Sequence, residues 1–315
     1  MNAVPLLHGL VDDAGLFPPA RLPMAAALAR HRADRAAGHP MLAHRFLCPA
    51  SRLGELTAAL AEGDEVRVGV LLDAALPDVL DPRLTVDSAE AAVTPGEPPP
   101  DAPPRPHAEP RPPHSAGPTA PGPRPAHSAG PTAPGARPLH SVPDRPAVAG
   151  QAVAVRLYVE PRRGPGWLDA VAALAGRPGV GAKIRCGGLA AALFPSADEV
   201  AAFVEVCVRH GVPFKATAGL HHALPYRDPE TGFRHHGYLN LLTATARAIA
   251  GASRDQIAAT LTETDPAPLV AEARGLSAAD AARVREAFVA YGSCSTEEPL
   301  ADAVALGLAE GDPAR

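Results

Sequence analysis

The sequence predicts a single α/β domain over residues 1–315, a closed (β/α)8 TIM barrel with a long disordered Pro/Ala/Gly-rich insertion between its fourth and fifth strands. Three observations predict it. Short apolar, β-branched runs alternate with Ala/Leu-rich helical stretches, as repeated βα units require. Residues 94–148 form a low-complexity segment, and setting them aside leaves about 260 residues, close to the ~250 typical of such a barrel. Charged side chains gather at the carboxyl ends of the expected strands, where this architecture places its chemistry.

The expected strands are "GLVDD" (9–13), "HRFLCP" (44–49), "VRVGVLLD" (66–73), "RLTVDS" (83–88), "VAVRLYVE" (153–160), "VGAKIRC" (180–186), "PFKATA" (213–218) and "FVAYGS" (288–293). The fourth and eighth runs are weak, which leaves an incomplete barrel or an open doubly wound sheet as alternatives. Two of the intervening helices carry start signals. Ser196 with Glu199 and Ser253 with Gln256 have capping-box spacing ahead of apolar-periodic runs. In the insertion "HSAGPTAPG" occurs at 114–122 and again at 127–135. With so much Pro and so few large apolar residues, it buries too little surface to offset its ordering entropy. Its histidines (His107, His114, His127, His140) read as repeat content.

Composition narrows the function class. Apolar residues make up 46% of the chain, enough for a sizeable core. A net charge of −5 and a pI near 6.2 argue against nucleic-acid binding. No basic-plus-apolar leader appears, and no run reaches ~18 apolar residues. A cytoplasmic location without membrane association is therefore expected. Cys48, Cys186, Cys207 and Cys294 show no CxxC spacing, so neither a zinc site nor a disulfide framework is indicated. Monomer and homo-oligomer both remain open.

Only two of the 29 cationic Lys and Arg residues are lysines, Lys183 and Lys215. The Ala-, Arg- and Pro-rich composition is that of a GC-rich coding sequence, which turns interchangeable surface cations into Arg. A deprotonable amine cannot be Arg, because guanidinium stays charged at any usable pH. These two positions are thus enriched for sites where an amine is needed; chance retention at exposed sites is the plainer reading.

Strand alternation puts Lys183 and Arg185 on one face, with Ile184 on the other. Lys215 and Thr217 likewise oppose Phe214 and Ala216. The apolar partners suit the strand–helix layer, so the lysines should point into the barrel from neighbouring strands ~4.8 Å apart. Like charge and burial both disfavour protonation, and at least one amine should titrate well below its ordinary value. Other strand-end groups are Asp12 and Asp13, Asp73, Asp87 with Glu90 just beyond the fourth strand, and Glu160. After the sixth strand come Gly187 and Gly188. After the seventh come Gly219 and the pairs His221–His222 and His235–His236, with Asn240 close behind. Gly292, Ser293, Cys294 and Ser295 close the eighth.

Each group has a plainer reading. An inward lysine pairs with Glu160 as a buried ion pair, although one carboxylate cannot satisfy two lysines and Arg185. The histidines are surface-loop residues, and Asp12–Asp13 is a turn and N-cap. Cys294 is a small buried residue, with no base near it in sequence.

"FKATAG" (214–219) resembles the Schiff-base strand of deoxyribose-phosphate aldolases, and "AKIRCGG" (182–188) is similar to their second lysine motif, in reversed order along the chain. The resemblance implies an imine-forming Lys215 with Lys183 lowering its pKa. "DDAGLFPPA" (12–20), "AKIRCGG", "FKATAGLHH" (214–222), "HGYLN" (236–240) and "YGSCSTEEP" (291–299) also resemble an uncharacterised bacterial barrel-like family, which implies no activity.

The first expectation is a class I aldolase or lyase acting on a small anionic carbonyl compound. Lys215 would be the nucleophile, and Glu160, Asp12, Asp13, His221 or His222 would shuttle protons. Arg185, Gly187, Gly188, Thr217, Gly219, His236, Asn240 and residues 292–295 would hold the substrate's anionic group. No cofactor is expected. The alternative is a lysine-based isomerase or decarboxylase passing through an enolate, which admits a divalent metal on Glu160, Asp87 and His221. A third reading is a non-catalytic barrel that binds an anionic metabolite.

Overall fold

The structure, a computed structural model, describes residues 2–93 and 155–311. The insertion at 94–148 lies outside the described residues, as do the first residues of the expected fifth strand.

Eight parallel strands close a barrel: β1 (Val11–Asp13), β2 (Leu42–Pro49), β3 (Val66–Leu71), β4 (Leu84–Val93), β5 (Arg156–Pro161), β6 (Val180–Arg185), β7 (Phe214–Thr217) and β10 (Phe288–Ser293). They pair in chain order, and β10 closes the ring between β7 and β1. The short strands β8 (Tyr226–Arg227) and β9 (Arg234–His235) form an antiparallel hairpin outside it. Around the barrel lie α1 (Met24–Ala37), α2 (Leu53–Ala59), α3 (Trp167–Ala172), α4 (Ala197–His210), α5 (Tyr238–Ile249), α6 (Arg254–Thr262), α7 (Pro266–Gly275), α8 (Ala278–Ala287) and α9 (Glu297–Ala305). All eight expected strands are present, so the barrel is complete.

The fourth strand departs from expectation. It does not stop at Ser88 but runs to Val93, pairing Glu90 with Leu71 on one side and Tyr158 on the other. A register shift near Val68 and Gly69 accompanies it. Ala and Glu have low strand preference, and the segment "AEAA" holds its extended form through pairing on both edges. Glu90 therefore belongs to the barrel wall, not to the loop beyond it.

Both expected capping boxes are formed, Ser196 with Glu199 and Ser253 with Gln256. α4 ends at Gly211 in the left-handed conformation that favours glycine. The apolar core fills the strand–helix layer. Phe214 stacks on Phe288 at 5.1 Å and meets Phe203 of α4 edge-on at 5.3 Å, and Phe203 stacks on Trp167 of α3. Burying each such ring stabilises the fold by roughly 1.5–3 kcal/mol. Inside the barrel a glycine makes room for an aromatic: a Cβ on Gly181 would lie 2.9 Å from the Tyr158 ring and 2.5 Å from the Pro213 carbonyl oxygen.

Candidate active site

Lys183 and Lys215 are register partners on β6 and β7, and both face the barrel interior. Glu90 bridges them, with Oε2 2.6 Å from Lys183 Nζ and Oε1 2.5 Å from Lys215 Nζ. Each lysine holds a second carboxylate: Glu160 Oε2 at 3.2 Å from Lys183, Asp12 Oδ2 at 2.6 Å from Lys215. The chain continues both ways. Glu160 accepts from Arg185 Nε at 2.8 Å, at the C-terminal end of β6. Asp12 accepts from Nη1 of Arg45 on β2 at 2.6 Å, Arg45 donates its Nε to Asp87 at 2.6 Å, and Asp87 accepts from Arg67 of β3.

Nine side chains thus alternate in sign through the barrel, Arg185–Glu160–Lys183–Glu90–Lys215–Asp12–Arg45–Asp87–Arg67. The middle is sealed, Lys215 being 1% and Glu90 2% exposed, whereas Arg185 at the C-terminal mouth is 38% exposed. With every group ionised the series holds one more cation than anions, and a cation stands at the mouth.

These partners overturn the expectation of a depressed amine at Lys215. Burial opposes its charge, but the Asp12 and Glu90 carboxylates outweigh burial and raise its pKa above the ordinary lysine value. Burial likewise opposes ionisation of Glu90, and the two ammonium groups override it and hold its pKa far below the usual carboxylate range. Glu160 is lowered against its own burial by Lys183 and Arg185. Strand alternation gives no sign that Glu90 lies between the two ammonium groups, where its attraction for both outweighs their mutual repulsion.

The expected residues separate into groups. Asp12 joins the column, but alternation turns Asp13 outward to α1, where it pairs with Arg30 and, at 3.3 Å, with His31. Asn240 donates Nδ2 to the carbonyls of Thr260 and Glu263 at 2.8 Å, tying α5 to α6. His236 bonds the Pro195 carbonyl through Nε2 at 2.8 Å. Gly187 and Gly219 are a close backbone contact, since a Cβ on Gly187 would come within 2.9 Å of the Gly219 Cα. Ser293 is buried beside Asp13's register position, and Gly292 pairs with both Asp12 and Thr217. Thr217 stands beside Arg185 at the end of β7, half-buried.

His221, His222, Cys294, Ser295, Gly188 and Gly219 do converge, around a rim cavity of about 750 Å³ between the loops after β1, β6, β7 and β10. Neither lysine lines it. His221 Nδ1 lies 3.1 Å from Glu298 Oε2, and His222 Nδ1 lies 3.1 Å from Asp302 Oδ2.

The metal set of the alternative reading does not assemble. Asp87 is held by two arginines, Glu160 by Lys183 and Arg185, and His221 by Glu298. Among the described residues no group of three or more His, Cys, Asp or Glu side chains is placed to hold a metal ion. Nor, among them, is any helix long and apolar enough to cross a membrane.

Comparisons with protein-family models, with curated proteins and with solved structures returned no match.

Proposed function

We propose that the protein is an enzyme acting on a small anionic carbonyl compound at the C-terminal mouth of the barrel, by enolate chemistry. The observation that carries this reading is the lysine pair in register on β6 and β7, bridged by Glu90 and continued to the mouth by Glu160 and Arg185. An anion arriving at Arg185 would continue the alternation of charge, and the guanidinium offers a fork suited to carboxylate or phosphate. Glu160, ionised and partly open to the mouth, would take the proton next to the carbonyl. The Lys183 ammonium, 3.2 Å behind Glu160, would keep that carboxylate ionised, and the Arg185 guanidinium at the mouth would stabilise the oxygen on which negative charge develops. Lys215, Asp12 and Glu90 would hold that ammonium in place and supply compensating charge. Isomerase, decarboxylase and lyase outcomes share this step.

A second reading, a class I aldolase with an imine on Lys215, draws on the same register and on the motif resemblance. It requires Lys215 to pass its proton to Asp12 or Glu90 before the amine attacks the carbonyl carbon and water leaves. Lys215 is sealed from the mouth between two carboxylates that favour its ammonium, which supports the enolate reading over the imine.

The two separate in one experiment with a panel of 2-oxo acids and ketose phosphates. Enolate chemistry predicts exchange of the α-protons with deuterium, followed by NMR, without a borohydride-trapped adduct. An adduct of the expected mass at Lys215, absent from Lys215→Met, would favour the imine. Binding without exchange or adduct across the panel would overturn both and leave a metabolite-binding barrel.

A further inference from the structure

The rim cavity holds a group of side chains that the enolate reading leaves unused. Cys294 immediately follows β10, and Arg30 of α1 donates Nη1 to its carbonyl oxygen at 2.7 Å, which fixes the loop at that point. Its Sγ lies 3.8 Å from Nδ1 and 4.0 Å from Nε2 of His221, in the loop after β7. His221 Nδ1 is in turn 3.1 Å from Glu298 Oε2, in the first turn of α9. A thiol, an imidazole and a carboxylate from 294, 221 and 298 therefore meet at the wall of one cavity. The other three cysteines are buried and do not line it.

These are the three kinds of group that nucleophilic catalysis combines, with the sulfur nearly equidistant from the two ring nitrogens and Nδ1 the one that faces Glu298. With a proton on Nδ1 donated to Glu298, Nε2 is the free acceptor. Burial lowers the His221 pKa, which leaves the imidazole neutral near pH 7. Burial raises that of Cys294, so the sulfur carries a proton that a base must remove. Leu189, Phe194 and Phe233 also line the cavity and suit a short uncharged chain.

We propose that Cys294, His221 and Glu298 form a nucleophilic site separate from the lysine column, which adds a small aldehyde to the cysteine sulfur as a thiohemiacetal. The S–C bond forms as the carbonyl π pair moves to oxygen. The thiol proton passes to His221 Nε2 and from there to that oxygen, with no oxidant and no leaving group. That the electrophile is a carbonyl rests on the reading above; its uncharged chain rests on Leu189, Phe194 and Phe233, and the nucleophile on the cavity alone.

The test uses the full chain, iodoacetamide and peptide mapping. Cys294 should be alkylated at least about tenfold faster than Cys48, Cys186 or Cys207, and both His221→Asn and the half-exposed Glu298→Gln should slow it by about tenfold. Circular dichroism and Tm of the variants check that they remain folded. Prior incubation with propanal should slow alkylation of Cys294 in the wild type. Unchanged alkylation rates in both folded variants would overturn the activated nucleophile. Slowed variants without protection by propanal would overturn the aldehyde. Either failure leaves α-proton exchange at the lysine column untouched, so the two readings fail separately.

Discussion

Phe214 and Lys215 are consecutive residues of β7, both almost fully buried, and they face opposite worlds. Phe214 points into a layer of stacked aromatics and aliphatic side chains, Lys215 into a column of alternating charge. Branched aliphatic residues usually fill a barrel of this kind. Here the strand–helix layer carries most of the hydrophobic stabilisation, and a column of ions runs through the interior beside the Tyr158 ring. Buried ion pairs repay their desolvation poorly, so the column adds little to the stability that the aromatic layer supplies.

The largest test breaks one side of the contrast at a time. Phe214→Ala should cost about 3–5 kcal/mol, by lost burial and a cavity. Lys215→Met should cost about 3 kcal/mol, because Asp12 and Glu90 each lose a partner while keeping Arg45 and Lys183. Denaturant unfolding against pH distinguishes them. The Lys215→Met deficit should shrink below the ordinary Glu value of 4.5 as the stranded carboxylates take up protons, and the Phe214→Ala deficit should not.

Replacing the bridge as a unit should reverse the loss. In Lys183→Met/Lys215→Met/Glu90→Leu, Asp12 retains Arg45 and Glu160 retains Arg185. Its stability should return to within about 2 kcal/mol of the wild type or exceed it, and α-proton exchange should vanish. A triple variant less stable than Lys215→Met would show that the column is a structural requirement.

The wild type itself should show a broad plateau of stability. Glu90 and Glu160 are lowered in the folded state, so their contribution is present above 4.5 and lost as pH falls through their folded values. Lys215 is raised, so its contribution is present below 10.5 and lost as pH rises through its folded value. Thermal unfolding from acid to alkali should therefore fall off only at the two extremes. The smallest effect belongs to the helix layer: Ser196→Ala removes the α4 capping box and should cost about 1 kcal/mol, read as a shift of the denaturant midpoint.

The strand pattern, the two capping boxes and the inward turn of both lysines were all legible in the sequence, because each follows from local periodicity or spacing. Strand alternation also bears on Asp12 and Asp13, yet only the observed register shows that Asp12 faces inward and Asp13 packs on α1. The sequence marks Glu90 as a strand-end group but not its role: "AEAA" has little strand preference of its own, and pairing with β3 and β5 supplies its extended form. The protonation of Lys215 was hidden for the same reason. A pKa depends on which charges lie within a few ångströms, and those charges come from residues 12 and 90, far along the chain. Cys294 likewise had no base near it in sequence and meets one across 73 residues. The sequence by itself determined the barrel and which side chains turn inward, since both are set by backbone geometry and burial of apolar faces. Only closure of the barrel decided which inward charges neutralise one another, because those contacts join strands that the chain keeps apart.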